Sequence, residues 1–138
     1  MITSVYASLA ALLMVFLALK VINARHEHHI SLGDGDSKEL LQLRGAHSNA
    51  TEYIPIGLVL LFLLEYNNGL IWLVHLGGIA LLAGRLLHAN GMLSPNMKHR
   101  VLGMKVTLST LIALAIINLL NLFIYPACLL NRADCYRR

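Results

Sequence analysis

Four apolar blocks separated by polar segments divide the chain. They cover residues 2–19, 54–64, 70–84 and 106–130. A membrane-spanning helix needs about 20 residues, and the second and third blocks reach that length only if their polar flanks stay helical and face other helices instead of lipid. The pattern predicts four transmembrane helices whose polar ends lie inside a bundle.

The polar residues ahead of the second block predict one long helix. Asp36 followed three residues later by Glu39 resembles a capping box, so we expect this helix to begin near Ser37 and to end at about Tyr66. One arc of the helix carries polar and small residues at the helical period, namely Arg44, Gly45, Ser48, Asn49 and Glu52. The arc predicts a binding face or a polar seam between helices, and Gly45 would leave room there for a ligand or a neighbouring backbone.

Arg85 introduces a charge into the third helix. The helical period places it on one face with Gly77, Leu81, Gly84, His88 and Met92. At ~1.5 Å per residue, Glu52 and Arg85 lie at matching depths. Because a charge at bilayer depth costs at least ~2.5 kcal/mol, the match predicts an ion pair or a shared ligand. If the two residues form an ion pair without a ligand, its role would be structural, fixing the register of the two helices.

The fourth helix is expected to carry its own cap and an anion-binding end. Ser94 followed by Pro95 is typical of an N-cap and a first helical residue. Cations beside free helix N–H groups create a site for a carboxylate or a thiolate. Helical rise places Arg25 and Arg44 at a similar level. We therefore predict that Arg25, Arg44 and Arg100 converge at one edge of the membrane.

The composition supports a membrane protein. Of 138 residues, 57% are hydrophobic and 13% charged, against about 25% charged in soluble proteins. The length predicts a single domain, residues 1–138, which is too short for a transporter of two inverted halves and favours an oligomer. The net charge of +4 comes from cations beside the apolar blocks, a distribution that disfavours nucleic-acid binding.

The distribution of basic residues predicts an orientation. Four lysines or arginines lie in or beside the first connection and four around the third, whereas residues 65–69 have none and the C-terminal tail has three. By the positive-inside rule, the two long connections face the cytoplasm and both termini face the other side.

Neither the cysteines nor the histidines predict a metal site. Cys128 and Cys135 show no CxxC or metal-ligand spacing. Residues 25–29 contain three histidines, but they lack the spacing of a defined ligand set. We therefore expect no bound metal.

Residues 44–55 resemble the signature of the MAPEG superfamily, the membrane-associated proteins of eicosanoid and glutathione metabolism. The most specific part, Asn-x-x-Glu-Tyr-x-Pro, begins at Asn49. Residues 83–88 are similar to the third helix of the prostaglandin synthases in that superfamily, and bacterial inner-membrane members resemble the whole chain. The resemblance implies a homotrimer of four-helix subunits, with glutathione between subunits near the cytoplasmic face and a lipophilic substrate approaching from the membrane.

The same resemblance implies the roles of individual residues. Those expected to contact glutathione are Arg25, Arg44, Asn49, Glu52, Tyr53, Arg85 and His88. Arg100 would be catalytic by stabilising the thiolate. The chemistry agrees, because two carboxylates, an ammonium and a thiol call for cations, one carboxylate and a donor aimed at sulfur. A thiol with a pKa of about 8.5 is mostly protonated at pH 7 unless a cation lies nearby.

Three functions are compatible with these residues. A glutathione-dependent transferase or peroxidase acting on lipophilic electrophiles is the predicted one. A non-catalytic scaffold that binds lipid or another amphipathic ligand is the alternative, because Met92 and Met104 replace tyrosines of the prostaglandin synthases and Arg44 lies one residue farther from Asn49 than in many members. A b-type cytochrome would use His47 and His88, which are expected at similar depths.

Overall fold

The computed structural model describes residues 1–94 and 96–124, with side chains described as far as residue 121. Within that part the chain forms four helices and no strand: α1 (Thr3–Glu27), α2 (Lys38–Tyr66), α3 (Ile71–Leu93) and α4 (Met97–Ile124). All four are long and apolar enough to cross a membrane. The predicted all-α, four-helix architecture is confirmed. Both cysteines and the end of the fourth apolar block lie outside the described residues.

A contact between the start of α1 and the end of α2 shows that these helices are antiparallel. The Glu65 carboxylate accepts hydrogen bonds from the backbone N–H groups of Ile2 and Thr3, the latter at 2.8 Å. These N–H groups have no partner inside the helix, because the first turn lacks preceding carbonyls. Glu65 therefore caps α1 from the neighbouring helix.

The start of α2 lies where the sequence predicted it, but the capping residue is different. Ser37 is the N-cap, and its Oγ accepts a hydrogen bond from the Leu40 N–H at 3.3 Å. Asp36 has a φ of +60° and directs the chain into the helix instead of capping it. Glu39 interacts with His28 at 3.1 Å. The predicted Asp36–Glu39 capping box is wrong, because Ser37 caps the helix and the Glu39 carboxylate contacts His28 instead.

The predicted cap of α4 is also wrong. Ser94 belongs to the end of α3, where its Oγ and its backbone N–H both donate to the Asn90 carbonyl. Asn96 instead accepts hydrogen bonds from the N–H groups of Lys98 and His99, at 3.2 and 3.4 Å, through its Oδ1. Pro95 lies outside the described residues.

The helices α3 and α4 pack closely through glycines. A Cβ atom on Gly84 would lie 2.6 Å from the Thr107 hydroxyl, and a Cβ on Gly103 would meet the backbone of His88. Small residues at a helix interface allow two backbones to approach. The face predicted for α3 lies inside the bundle, since all six of its members are buried: Gly77, Leu81, Gly84, Arg85, His88 and Met92.

Candidate ligand-binding site

Arg85 is the centre of a polar network inside the bundle. Its side chain is only 1% exposed. Nε and Nη2 donate to the hydroxyl of Thr107 at 3.0 and 2.7 Å, and Nη2 also contacts the Met104 sulfur at 3.8 Å. Nη1 donates to Asn49 twice, to the backbone carbonyl at 3.2 Å and to Oδ1 at 2.5 Å. The guanidinium group thus joins α2, α3 and α4 through neutral acceptors.

Tyr53 covers the same guanidinium group from the α2 side. The Arg85 Cζ lies 5.2 Å from the centre of the Tyr53 ring, within the range of a cation–π interaction. Asn49 and Tyr53 are four residues apart and therefore share a face of α2. Two of the residues predicted to bind glutathione, Asn49 and Tyr53, therefore contact a third, Arg85, within one chain.

The predicted ion pair between Glu52 and Arg85 is wrong. Glu52 is exposed and accepts a hydrogen bond from the Ser48 hydroxyl at 2.9 Å. α2 meets Arg85 in the direction midway between Asn49 and Tyr53. At the helical period, Glu52 is rotated roughly 80° around the α2 axis from that direction. Residues at the same depth can therefore lie on different sides of a helix.

Two arginines that were expected to bind carboxylates of the ligand have partners in the first connection. Arg44 forms an ion pair with Asp34, and Arg25 donates to the Ile30 carbonyl at 3.3 Å. Gly33 and Gly35 bracket Asp34, and both have a positive φ, a conformation that glycine adopts without strain. This turn brings the Asp34 carboxylate back to α2.

The remaining predicted residues lie at the same end of the bundle. Arg100 is exposed in the first turn of α4, and His88 is buried on α3, where its backbone meets Gly103. Neither residue makes a hydrogen bond to the Arg85 network among the described residues. Arg25, Arg44 and Arg100 belong to helix ends on one side of the bundle, but no contact within the described chain brings them together.

The outer face of α2 carries a polar stripe that the described chain leaves uncovered. Arg44, Ser48 and Glu52 are spaced four residues apart, and all three are exposed. The Arg44–Asp34 and Ser48–Glu52 contacts use only part of the hydrogen-bonding capacity of these groups. In hydrocarbon the rest would lose its hydrogen bonds to water without replacement. We refer to these three residues as the α2 stripe.

Methionine side chains occupy two positions beside the network. Met92 is 9% exposed, and its Cε would lie 2.7 Å from a Cβ atom placed on Gly45. The space beside Gly45 is therefore filled by Met92, and not by a ligand or a neighbouring backbone as the sequence suggested. Met104 contacts Arg85 through its sulfur.

Thr107, which was not predicted from the sequence, holds the guanidinium group from α4. Thr107 is completely buried, and its hydroxyl donates to the Gly103 carbonyl at 2.9 Å. The available signal was weak, because Thr107 is one of three hydroxyl residues near the start of the fourth apolar block, and it differs from the others only in following Gly103 by one helical turn. Among the described residues, no three His, Cys, Asp or Glu side chains are grouped as metal ligands.

Comparison with known proteins identifies the class. The MAPEG family model matches residues 3–120. The inner membrane protein YecN of Escherichia coli strain K12 is 39% identical over 119 residues, which cover 86% of this chain and 91% of that protein. YecN of E. coli O6:H1 strain CFT073 matches to the same extent. The chain belongs to the MAPEG family, and the resemblance found in the sequence is confirmed.

Proposed function

We propose that the protein is a glutathione-dependent transferase or peroxidase that acts on lipophilic electrophiles at the membrane. The α2 stripe carries the proposal. It places a cation, a hydroxyl and a carboxylate on an uncovered face of a membrane helix, next to the Asn49–Tyr53–Arg85 cluster. Glutathione offers two carboxylates, an ammonium group and a thiol, which these groups complement.

We propose that the active form is a homotrimer. The α2 stripe needs a polar partner because a polar face against lipid is costly. A neighbouring subunit would cover the stripe and enclose glutathione between subunits near the cytoplasmic side. The lipophilic substrate would then approach from the lipid.

The proposed residues divide the binding and the chemistry among them. Glu52 would bind the ammonium group, and Arg25 and Arg44 would bind carboxylates, with Arg44 exchanging its Asp34 partner for the ligand. Asn49, Tyr53 and His88 would line the site, and Arg100 would stabilise the thiolate. Bound glutathione supplies a sulfur nucleophile that bonds to an electrophilic carbon as the leaving group departs with its electron pair. A cation favours the ionised thiol.

The cellular setting follows from the relatives and from the charge distribution. We propose a multi-pass protein of the bacterial inner membrane, forming one domain over residues 1–138, with both termini on the non-cytoplasmic side. YecN is named an inner membrane protein, and four candidate membrane spans in this chain agree with that location.

A non-catalytic scaffold that binds lipid or another amphipathic ligand is the second candidate. The two methionines favour it, because Met92 fills the space beside Gly45 and Met104 contributes a thioether to the network. A thioether is a weak hydrogen-bond acceptor and does not donate as a tyrosine hydroxyl does. The haem alternative predicts a coloured protein, so one visible spectrum of the purified protein tests it.

Turnover with chlorodinitrobenzene and glutathione tests the proposal. We expect measurable activity in detergent, with Arg100→Ala lowering kcat at saturating glutathione and Arg25→Ala mainly raising the KM for glutathione. An unchanged kcat in Arg100→Ala would contradict the thiolate role. Glutathione binding without turnover would favour the scaffold.

A further inference from the structure

All the hydrogen-bonding capacity of the Arg85 guanidinium group is used inside the subunit. The group has five N–H donors and no acceptor. The structure supplies five contacts, two to the Thr107 hydroxyl, two to Asn49 and one to the Met104 sulfur. A ligand could bind Arg85 directly only by displacing one of them. Arg85 is therefore poorly suited to the ligand contact that the sequence suggested.

The arginine settles the orientation of the Asn49 carboxamide. The oxygen and nitrogen of an asparagine side chain are assigned from their hydrogen bonds. Because a guanidinium group only donates, the atom that faces Nη1 must be Oδ1, as observed at 2.5 Å. The free part of the carboxamide is then its NH₂ group, for which the described chain supplies no acceptor. Half-buried Asn49 can therefore offer N–H donors.

Thr107 fixes the guanidinium group from the opposite side. Its hydroxyl gives its only hydrogen to the Gly103 carbonyl, at 2.9 Å, so its lone pairs accept from Nε and Nη2 of Arg85. The guanidinium group is planar, so holding Nε and Nη2 on α4 directs Nη1 towards α2. The orientation of Asn49 thus depends on Thr107, which makes no hydrogen bond to Asn49.

We infer that Arg85 is a positioning residue which holds Asn49 so that the site presents N–H donors to an acceptor group of the ligand, a carboxylate or a carbonyl. The guanidinium charge strengthens these donors, because hydrogen bonds in a chain polarise one another. The network would disfavour a ligand that offers a donor at this point. Recognition of glutathione by this route rests on the proposed function, whereas the orientation of Asn49 does not.

The first experiment needs no ligand. The NH₂ resonances of ¹⁵N-labelled asparagine side chains are recorded for the protein in detergent, and those of Asn49 are assigned by their loss in Asn49→Asp. We expect one sharp pair in the wild type and in Thr107→Ser, which keeps the hydroxyl. The pair should shift or broaden in Arg85→Lys and in Thr107→Val. Thr110→Val is the matched control, because Thr110 donates only to the Val106 carbonyl.

The second experiment measures glutathione affinity by calorimetry in a double-mutant cycle. A hydrogen bond to a charged group corresponds to about tenfold or more in Kd, so Asn49→Ala should weaken binding by that factor. In the Arg85→Lys background, Asn49→Ala should add less than about twofold, because the carboxamide is no longer held.

Two results would overturn the inference. One is Asn49 resonances that are unchanged in both Arg85→Lys and Thr107→Val. The other is a double variant whose increase in Kd equals the product of the increases caused by Asn49→Ala and Arg85→Lys separately. If the wild type does not bind glutathione, the proposed function fails, and the resonances still decide whether Arg85 positions Asn49. Folding of each variant is checked by circular dichroism, and the Thr107→Ser and Thr107→Val pair decides the matter if Arg85→Lys does not fold.

Discussion

Thr107→Val should destabilise the bundle much more than its small change in shape suggests. The substitution removes the acceptor of two Arg85 N–H contacts, at 3.0 and 2.7 Å, inside a site where Thr107 is 0% and Arg85 1% exposed. A buried donor without a partner costs about 1–3 kcal/mol. Two such donors cost about 2–6 kcal/mol, and the extra methyl group returns about 0.8 kcal/mol. We expect a net loss of about 1–5 kcal/mol in the free energy of unfolding.

The measurement is unfolding in mixed micelles with increasing denaturing detergent, followed by circular dichroism. Thr107→Ser keeps the hydroxyl and loses one methyl group, so it should cost only about 0.8 kcal/mol. Thr110→Val removes a hydroxyl that serves no other helix and should cost little. If Thr107→Val is no more destabilising than Thr110→Val, the Arg85 network does not hold the helices together.

Three further predictions test other parts of the fold. Glu65→Ala should lower the free energy of unfolding by about 1 kcal/mol through loss of the α1 cap, and it should speed hydrogen exchange in the first turn of α1. Glu65→Gln should be milder because it keeps an acceptor. Equal exchange rates in Glu65→Ala and Glu65→Gln would exclude the cap. Gly103→Ala should destabilise the protein far more than Gly45→Ala in the same unfolding assay. The new Cβ atom meets the His88 backbone at position 103, but only the flexible end of the Met92 side chain at position 45. The reverse order of stabilities would contradict the α3–α4 packing. Alkaline phosphatase fused after Arg138 should be active and a cytoplasmic reporter inactive, and the opposite pattern would invert the proposed topology.

The helices were predictable because their signals are local. Apolar blocks and the helical period of one face of α3 both follow from neighbouring residues. The start of α2 near Ser37 was also predicted correctly, although from a capping box that does not form. The period placed Arg85 and His88 on one face of the third helix, and both are buried in the structure. Membership of the MAPEG family was likewise evident from the segment that begins at Arg44.

The details of the site depend on information that a single helix does not contain. Depth along α2 placed Glu52 level with Arg85. However, the side of α2 that packs against α3 carries Asn49 and Tyr53, and these two residues contact Arg85. The Asp34–Arg44 ion pair depends on the positive φ angles of the first connection. Thr107 became important only when α4 was packed against α3.

Binding of glutathione and ionisation of its thiol are the central claim, and one measurement tests both. Ultraviolet thiolate absorbance is recorded as glutathione is titrated into the purified protein near pH 7, with S-methylglutathione as the matched ligand that cannot ionise at sulfur. The proposed function predicts a saturable thiolate signal that is absent with S-methylglutathione and reduced in Arg100→Ala. No signal above that of free glutathione, together with no heat of binding, would contradict it.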